Sequence, residues 1–309
     1  MTQPAMKDQD KIENDSQQKS SGISHIDIGL GLLVMLVWAG NAVTIKFITI
    51  ELPPFTGLAL RVILASIIFL PFLRWVGKET FIKIALTMFF MSVLHWGSLI
   101  WSIDKLDASM ASILLQTQII VTVLSGRFFF AEKFGWRTGM GITLGIIGVI
   151  ILVGLPANPP PTIGVIGMLF SMITVAISYA IMKTIEGVKP ANYIAYMHII
   201  PLAPLTMLAF LFENPTEIAW GEVNIRTLAI AFTYQVFLVS GVHMIWQRLM
   251  HRNEISILPN LTLLLPIFGV IFAMIFLEEK ITTTMIIGGT ITTIGVAIIM
   301  VRKQKKTRA

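Results

Sequence analysis

Apolar residues gather along this chain in ten stretches, near 28–49, 55–75, 81–101, 107–130, 136–155, 163–183, 192–212, 226–247, 254–277 and 281–301. Each is close to the ~20 residues that an α-helix needs to cross a hydrocarbon core. The intervals between them carry turn formers or charge, among them Pro53-Pro54, Gly77-Lys78-Glu79, Glu132 to Trp136, Pro156 to Pro161, Glu213 to Asn224 and Glu278 to Lys280. The pattern predicts an all-α integral membrane protein of ten transmembrane helices. The polar stretch 1–27 reads as a disordered tail. The first apolar run is too long for a signal-peptide core and reads as an uncleaved membrane helix.

One phrase occurs twice. FFFAEKFGWRTGMGITLGIIGVIILV, from Phe128 to Val153, returns near the C-terminus as IFLEEKITTTMIIGGTITTIGVAIIM. Glu132-Lys133 matches Glu279-Lys280, Gly141 matches Gly288 and Gly148 matches Gly295, at a constant offset of about 147 residues. The expected organisation is a first repeat over 28–155, a Pro-rich link over 156–162, a second repeat over 163–301 and a basic tail over 302–309. Five helices per repeat is an odd number, so the second repeat enters the membrane in the opposite sense. Such 5+5 inverted-topology repeats place a binding site between the halves near the bilayer midplane and rock to expose it to each side. A duplicated scaffold without transport is the plainer alternative.

Lys and Arg fix the orientation. With the N-terminus in the cytoplasm, eighteen of them fall in cytoplasmic segments, and only Lys105, Arg226 and Lys280 in external loops. This positive-inside bias alternates correctly across all ten spans and places both termini in the cytoplasm.

Composition agrees. Hydrophobic residues make up 55% of the chain and charged residues 13%, about half the usual charged share. The net charge of +6 is spread over short spacers rather than one patch, so nucleic acid is not an expected partner. There is no Cys, which excludes disulfides, thiol chemistry and Cys-based metal sites.

Polar residues inside the spans are the candidates for chemistry, because each is costly in hydrocarbon unless it faces protein or water. His95 in the third run and His243 in the eighth each follow a serine by three residues, Ser92 and Ser240, at equivalent places in the two repeats. Histidine titrates near neutral pH, so either one could hold a substrate carboxylate or carry a proton. Each could equally hydrogen-bond a neighbouring helix and serve packing alone. Trp38 and Asn41 share a face of the first helix, where Asn41 could grip an amino or carboxylate group. Tyr179 stands in the corresponding sixth helix. Gln116 and Gln118 are about 200° apart on a continuous helix, so one should face the interior, and Gln118 is the choice because Thr122 and Ser125 share its face. Asn260 lies between Pro259 and Pro266, which should kink the ninth helix and free backbone carbonyls. Arg61 could snorkel outward toward Glu51 or face inward and reads as structural, and Lys46 reads as an interfacial anchor. Trp75, Trp136 and Trp220 fit aromatic belts. The two Glu-Lys corners look like helix-end devices.

Enzyme motifs are missing: there is no HExxH, GxSxG or Walker loop. No acidic residue falls in the centre of a span, and no ATP-hydrolysing domain is present. No cofactor and no metal are expected.

The residues also resemble a known family. WAGNAVTIK at Trp38–Lys46, ELPP with the following ALR at Leu60-Arg61, ASMASILLQTQIIVTVLSGRFFFAEK at Ala108–Lys133 and LPNLTLLLPIFGVIFAMIFLEEK in the second half resemble the EamA branch of the drug/metabolite transporter superfamily. LLQTQ and IWQRLMHRNE look most like its bacterial O-acetylserine/cysteine exporters. The resemblance implies ten helices, a bacterial inner-membrane location, and export of amino acids or related small metabolites. It also implies a central cavity among helices 1, 3, 4, 6, 8 and 9. His95 and His243 depart from the family pattern. The expectation is a secondary transporter, monomer or homodimer, with Trp38, Asn41, His95, Gln118, Tyr179, His243 and Asn260 around a small-molecule substrate and protons as a candidate coupling partner. Uptake of a metabolite, whether amino acid, nucleotide or cofactor, is the alternative within transport.

Overall fold

The computed structural model describes residues 25–130, 135–156, 159–182, 184–252 and 258–300. Among these, nine helices are long and apolar enough to cross a membrane: α1 His25–Glu51, α2 Pro54–Phe72, α3 Lys78–Lys105, α4 Ala108–Arg127, α5 Trp136–Gly154, α6 Thr162–Met182, α7 Pro190–Phe212, α8 Ile225–Trp246 and α10 Thr283–Met300. Between the last two lies a shorter apolar helix, α9 Leu261–Leu277. Proline opens α2 and α7, at Pro54 and Pro190, where its missing N–H costs nothing. Large apolar side chains such as Ile67, Ile150, Phe212 and Ile275 point outward, as lipid requires.

The helices have two kinds of end. At one, carboxylates reach across the bundle to helix N-termini. Glu213, past the end of α7, accepts hydrogen bonds from Phe55 N (2.8 Å), Thr56 N (2.7 Å) and Thr56 Oγ1 (2.9 Å) at the start of α2. Glu279, past the end of α9, accepts from Ala108 N (2.7 Å) and Ser109 N (2.9 Å) at the start of α4. Glu51 accepts from Asn224 N (2.8 Å). These amides have no partner within their own helices, and the positive helix ends favour the carboxylates. Lys46 does the converse at this end. Its Nζ donates to the carbonyls of Ile103, Asp104 and Leu106, at 3.0, 2.9 and 2.9 Å, and so caps the C-terminus of α3. It is therefore a helix cap and not the lipid-facing anchor expected of it. At the opposite end, Asn192 bonds both N and O of Arg74, at 2.8 and 2.9 Å. We call these the Glu51 end and the Arg74 end.

The two glycine-rich helices that carry the repeated phrase pack on each other. A side chain on Gly148 would come within 2.6 Å of Gly288 O, and one on Gly141 within 2.6 Å of Gly295 O. Only glycine lets the backbones of α5 and α10 approach this closely.

Several helices depart from regular α geometry. α3 contains a π-helical segment at Phe89–His95 and α8 one at Tyr234–Val239. α4 breaks at Leu115-Gln116, where Gln118 N and Ile119 N bond three residues back rather than four. The first turns of α9 belong to a 3-10 segment, Leu258–Leu264, between the two prolines that were expected to disturb it. Glu132-Lys133 and the terminal tails fall outside the described residues.

Candidate functional site: a central cavity

A cavity of about 500 Å³ lies inside the bundle, lined from α1 to α4 and from α6 to α9. Among the described residues α5 and α10 contribute nothing to it. α2 and α7 join the six helices expected around it. On α6, α8 and α9 it reaches terminal residues of the Arg74 end, Met182, Trp246 and Thr262. Toward the Glu51 end its wall includes Ile48 and Gly57, which pack on each other.

Six of the seven candidates read from the sequence line this cavity: Trp38, Asn41, His95, Gln118, Tyr179 and His243. Asn260 belongs to the 3-10 segment, and its side chain lies outside the described residues. Gln118 Nε2 meets the Tyr179 hydroxyl at 3.3 Å, tying α4 to α6. Asn41 Oδ1 accepts from Gln235 Nε2 at 2.8 Å, and the same amide donates to Thr44 Oγ1 at 2.7 Å. Trp38 stands against His243 with ring centroids 5.0 Å apart, and against Trp246 at 5.3 Å.

Both histidines are anchored by Nδ1. His95 Nδ1 lies 3.1 Å from Ser171 O and 2.6 Å from Ser171 Oγ, while Ser171 Oγ donates back to His95 O at 3.0 Å. His243 Nδ1 lies 2.7 Å from Val239 O. At His243 the partner of Nδ1 is a carbonyl, which only accepts, so the hydrogen sits on Nδ1 and Nε2 is left to accept a bond or take a proton; at His95 the Ser171 hydroxyl can give or take the hydrogen at Nδ1. His95 thus does what the packing alternative requires, bridging α3 to α6, and still presents a ring edge to the cavity. His95 is the last residue of one π-helical segment and His243 follows the other by one turn, and π-bulges gather at functional sites.

Of the two placements open to Arg61, the structure has the inward one. The side chain does not reach out to Glu51, whose carboxylate is taken by Asn224, but lines the cavity with its guanidinium 4.4 Å from the Trp96 ring centroid. Gln116 also lines the cavity beside Gln118. The 200° separation held only for a continuous helix, and the break at Leu115-Gln116 turns both side chains inward. Gln235 and His198 were passed over. His198 is buried against Phe69 (5.4 Å) and Trp96 (5.7 Å) with neither ring nitrogen partnered. A third histidine in an apolar run was the available signal, but it has no counterpart in the repeat. No group of His, Cys, Asp and Glu among the described residues could hold a metal ion.

A bundle of membrane-length helices around an aromatic and polar chamber is a multi-pass membrane protein with an internal cavity. Comparison with known proteins gives its family. Residues 25–154 and 162–301 both match the EamA-like transporter family, and the chain belongs to it. A probable amino-acid metabolite efflux pump of Escherichia coli (strain K12) is 27% identical over 298 residues, covering 89% of this chain and 95% of that protein. A pump of the same description from Salmonella typhimurium is 27% identical over 294 residues, with the same coverage. An uncharacterized transporter of Synechocystis is 24% identical over 327 residues, covering 94% of each. One solved crystal structure matches with a TM-score of 0.61 at 15% identity, over 89% of this chain and 96% of that one, a likeness of fold alone. These family members are transporters, not enzymes.

Proposed function

We propose that this protein is a secondary transporter that exports amino acids or related small metabolites across the bacterial inner membrane by alternating access. The observation that carries the reading is the cavity itself: about 500 Å³ inside a membrane bundle, walled by four helices from each family-matched segment. The efflux pumps among its relatives support the direction. The two segments act as a 5+5 inverted repeat, joined by the Pro-rich link, that rocks around the site. The Lys and Arg distribution makes the Arg74 end cytoplasmic, so this conformation receives solute from the cytoplasm. Release outward breaks the carboxylate ties of Glu213 and Glu279 at the Glu51 end. The π-helical segments beside His95 and His243 are where α3 and α8 flex. The two histidine rings are the proton-accepting groups open to the cavity.

Flux of labelled amino acids and nucleotides into inside-out vesicles tests this, with imposed pH gradients of either sign. The expected result is saturable, gradient-driven uptake of an amino acid or a close relative that falls roughly tenfold or more in His95→Ala and His243→Ala, the scale of a lost proton-transfer group. Gradient-independent flux that survives both substitutions makes the histidines structural and the protein a facilitator. No saturable flux of any compound from well-folded protein overturns export.

A further inference from the structure

Among the described lining residues, Arg61 alone carries a fixed charge, and no carboxylate among the described residues answers it. It lies in α2 seven residues past Pro54, roughly 10 Å in from the helix start at 1.5 Å per residue. It is 8% exposed, makes no hydrogen bond and pairs with no carboxylate among the described residues. Its one contact of note is the Trp96 face. A buried guanidinium without a counter-charge destabilises the fold that holds it, so within a membrane such a group points to a ligand.

The other unanswered groups in the wall are of matching kind. Trp38 Nε1 and Gln116 Nε2 are buried donors with no acceptor, like Arg61 Nε, and the Tyr193 hydroxyl is buried without a partner. All four residues line the cavity. A carboxylate only accepts, offers about four lone-pair sites, and meets a guanidinium through two parallel bonds. Among the described residues the wall holds no Asp or Glu to answer an ammonium group.

We propose that Arg61, braced on Trp96, seats the carboxylate of the transported solute, and that an amino group on the solute is dispensable. The cavity thus takes small monocarboxylates with an apolar or aromatic body, N-acylated amino acids among them. This rests on the cavity being the transport site.

The test is equilibrium binding to the purified full chain in non-ionic detergent, read by tryptophan fluorescence and by thermal stabilisation. The probes are L-phenylalanine, N-acetyl-L-phenylalanine and L-phenylalaninamide, which keep both charged groups, only the carboxylate, and only the amine. The two carboxylates should bind and the amide should not. Arg61→Gln should weaken carboxylate binding roughly tenfold or more, the scale of a lost charge-assisted pair, and Arg61→Lys should retain part of it. A second readout separates this from a packing role: without ligand, Arg61→Gln should melt no lower than the wild type, because it removes a buried unpaired charge. Equal binding of the amide, no carboxylate binding at millimolar concentration, unchanged affinity in Arg61→Gln, or displacement of the probes by phosphatidylglycerol overturns the seat, the last by making it a lipid site. Flux with unchanged Arg61→Gln affinity sinks the seat and leaves transport standing. Binding without flux does the reverse.

Discussion

At the start of α4 two carboxylates sit by one helix end. Glu279 has taken it, accepting from the first two amides of α4, Ala108 N and Ser109 N. Asp107 stands at the N-cap position but makes no capping bond with its side chain. Partial burial and the nearby Glu279 raise the Asp107 carboxyl above its ordinary 3.8, and Lys46 opposes them. A group with a raised folded value contributes its stability below the unfolded value and loses it as pH rises through the folded one. Asp107→Asn should therefore raise the thermal midpoint at pH 7.5, with the gain shrinking as pH falls toward about 4. Melting curves of both proteins at several pH values check this, and a gain that grows with acidity would refute the assignment. Parts of this corner were legible in the sequence. Glu279 ends an apolar run beside a turn, which marks a helix-end device. Snorkelling rules describe a lone helix in lipid and could not place Lys46 and Arg61: Lys46 donates to carbonyls at the end of α3, and Arg61 lies over the Trp96 ring of α3.

Among elements, no described residue of α5 or α10 lines the cavity, and the two helices pack on each other. Their glycines interlock, and a side chain at Gly148 meets Thr292 N at 2.5 Å and Gly288 O at 2.6 Å. Gly148→Leu should cost about 1–3 kcal/mol, the usual penalty of overpacking, seen as a lower thermal midpoint. Gly139→Ala on the same helix is the control, because nothing lies within 4 Å of the added carbon. It should be neutral or stabilising by up to about 1 kcal/mol. The ten apolar runs gave the helices because span length is set by bilayer thickness, and the repeated glycines marked the two helices that pack together. The π-helical segments were not legible, since FFMSVLH and YQVFLV are ordinary apolar helix sequences whose extra turn width is set by packing. Nor was the α4 break, which carries neither Gly nor Pro. That break is why Gln116 and Gln118 line one cavity against the helical-wheel expectation.

On the scale of the whole molecule, the proposed transport cycle needs a chamber reached from the Arg74 end and tied shut at the Glu51 end. Its polar members could be picked from the sequence because an unpaired polar group is rare in a membrane span. Their common location could not, since it depends on eight helices meeting. The ties at Glu213 and Glu279 hold this conformation, so Glu213→Gln with Glu279→Gln should shift the population toward opening at the other end. The chain has no cysteine, so one introduced at Gln118 reports alone. The most direct measurement is its modification by a membrane-impermeant thiol reagent in vesicles of both orientations. The account predicts fast labelling from the cytoplasmic face, slow labelling from the outside, and a gain of outside labelling when both glutamates are replaced. Equal labelling from both faces would mean an open channel, and none from either face would mean a packed scaffold. Either result contradicts alternating access.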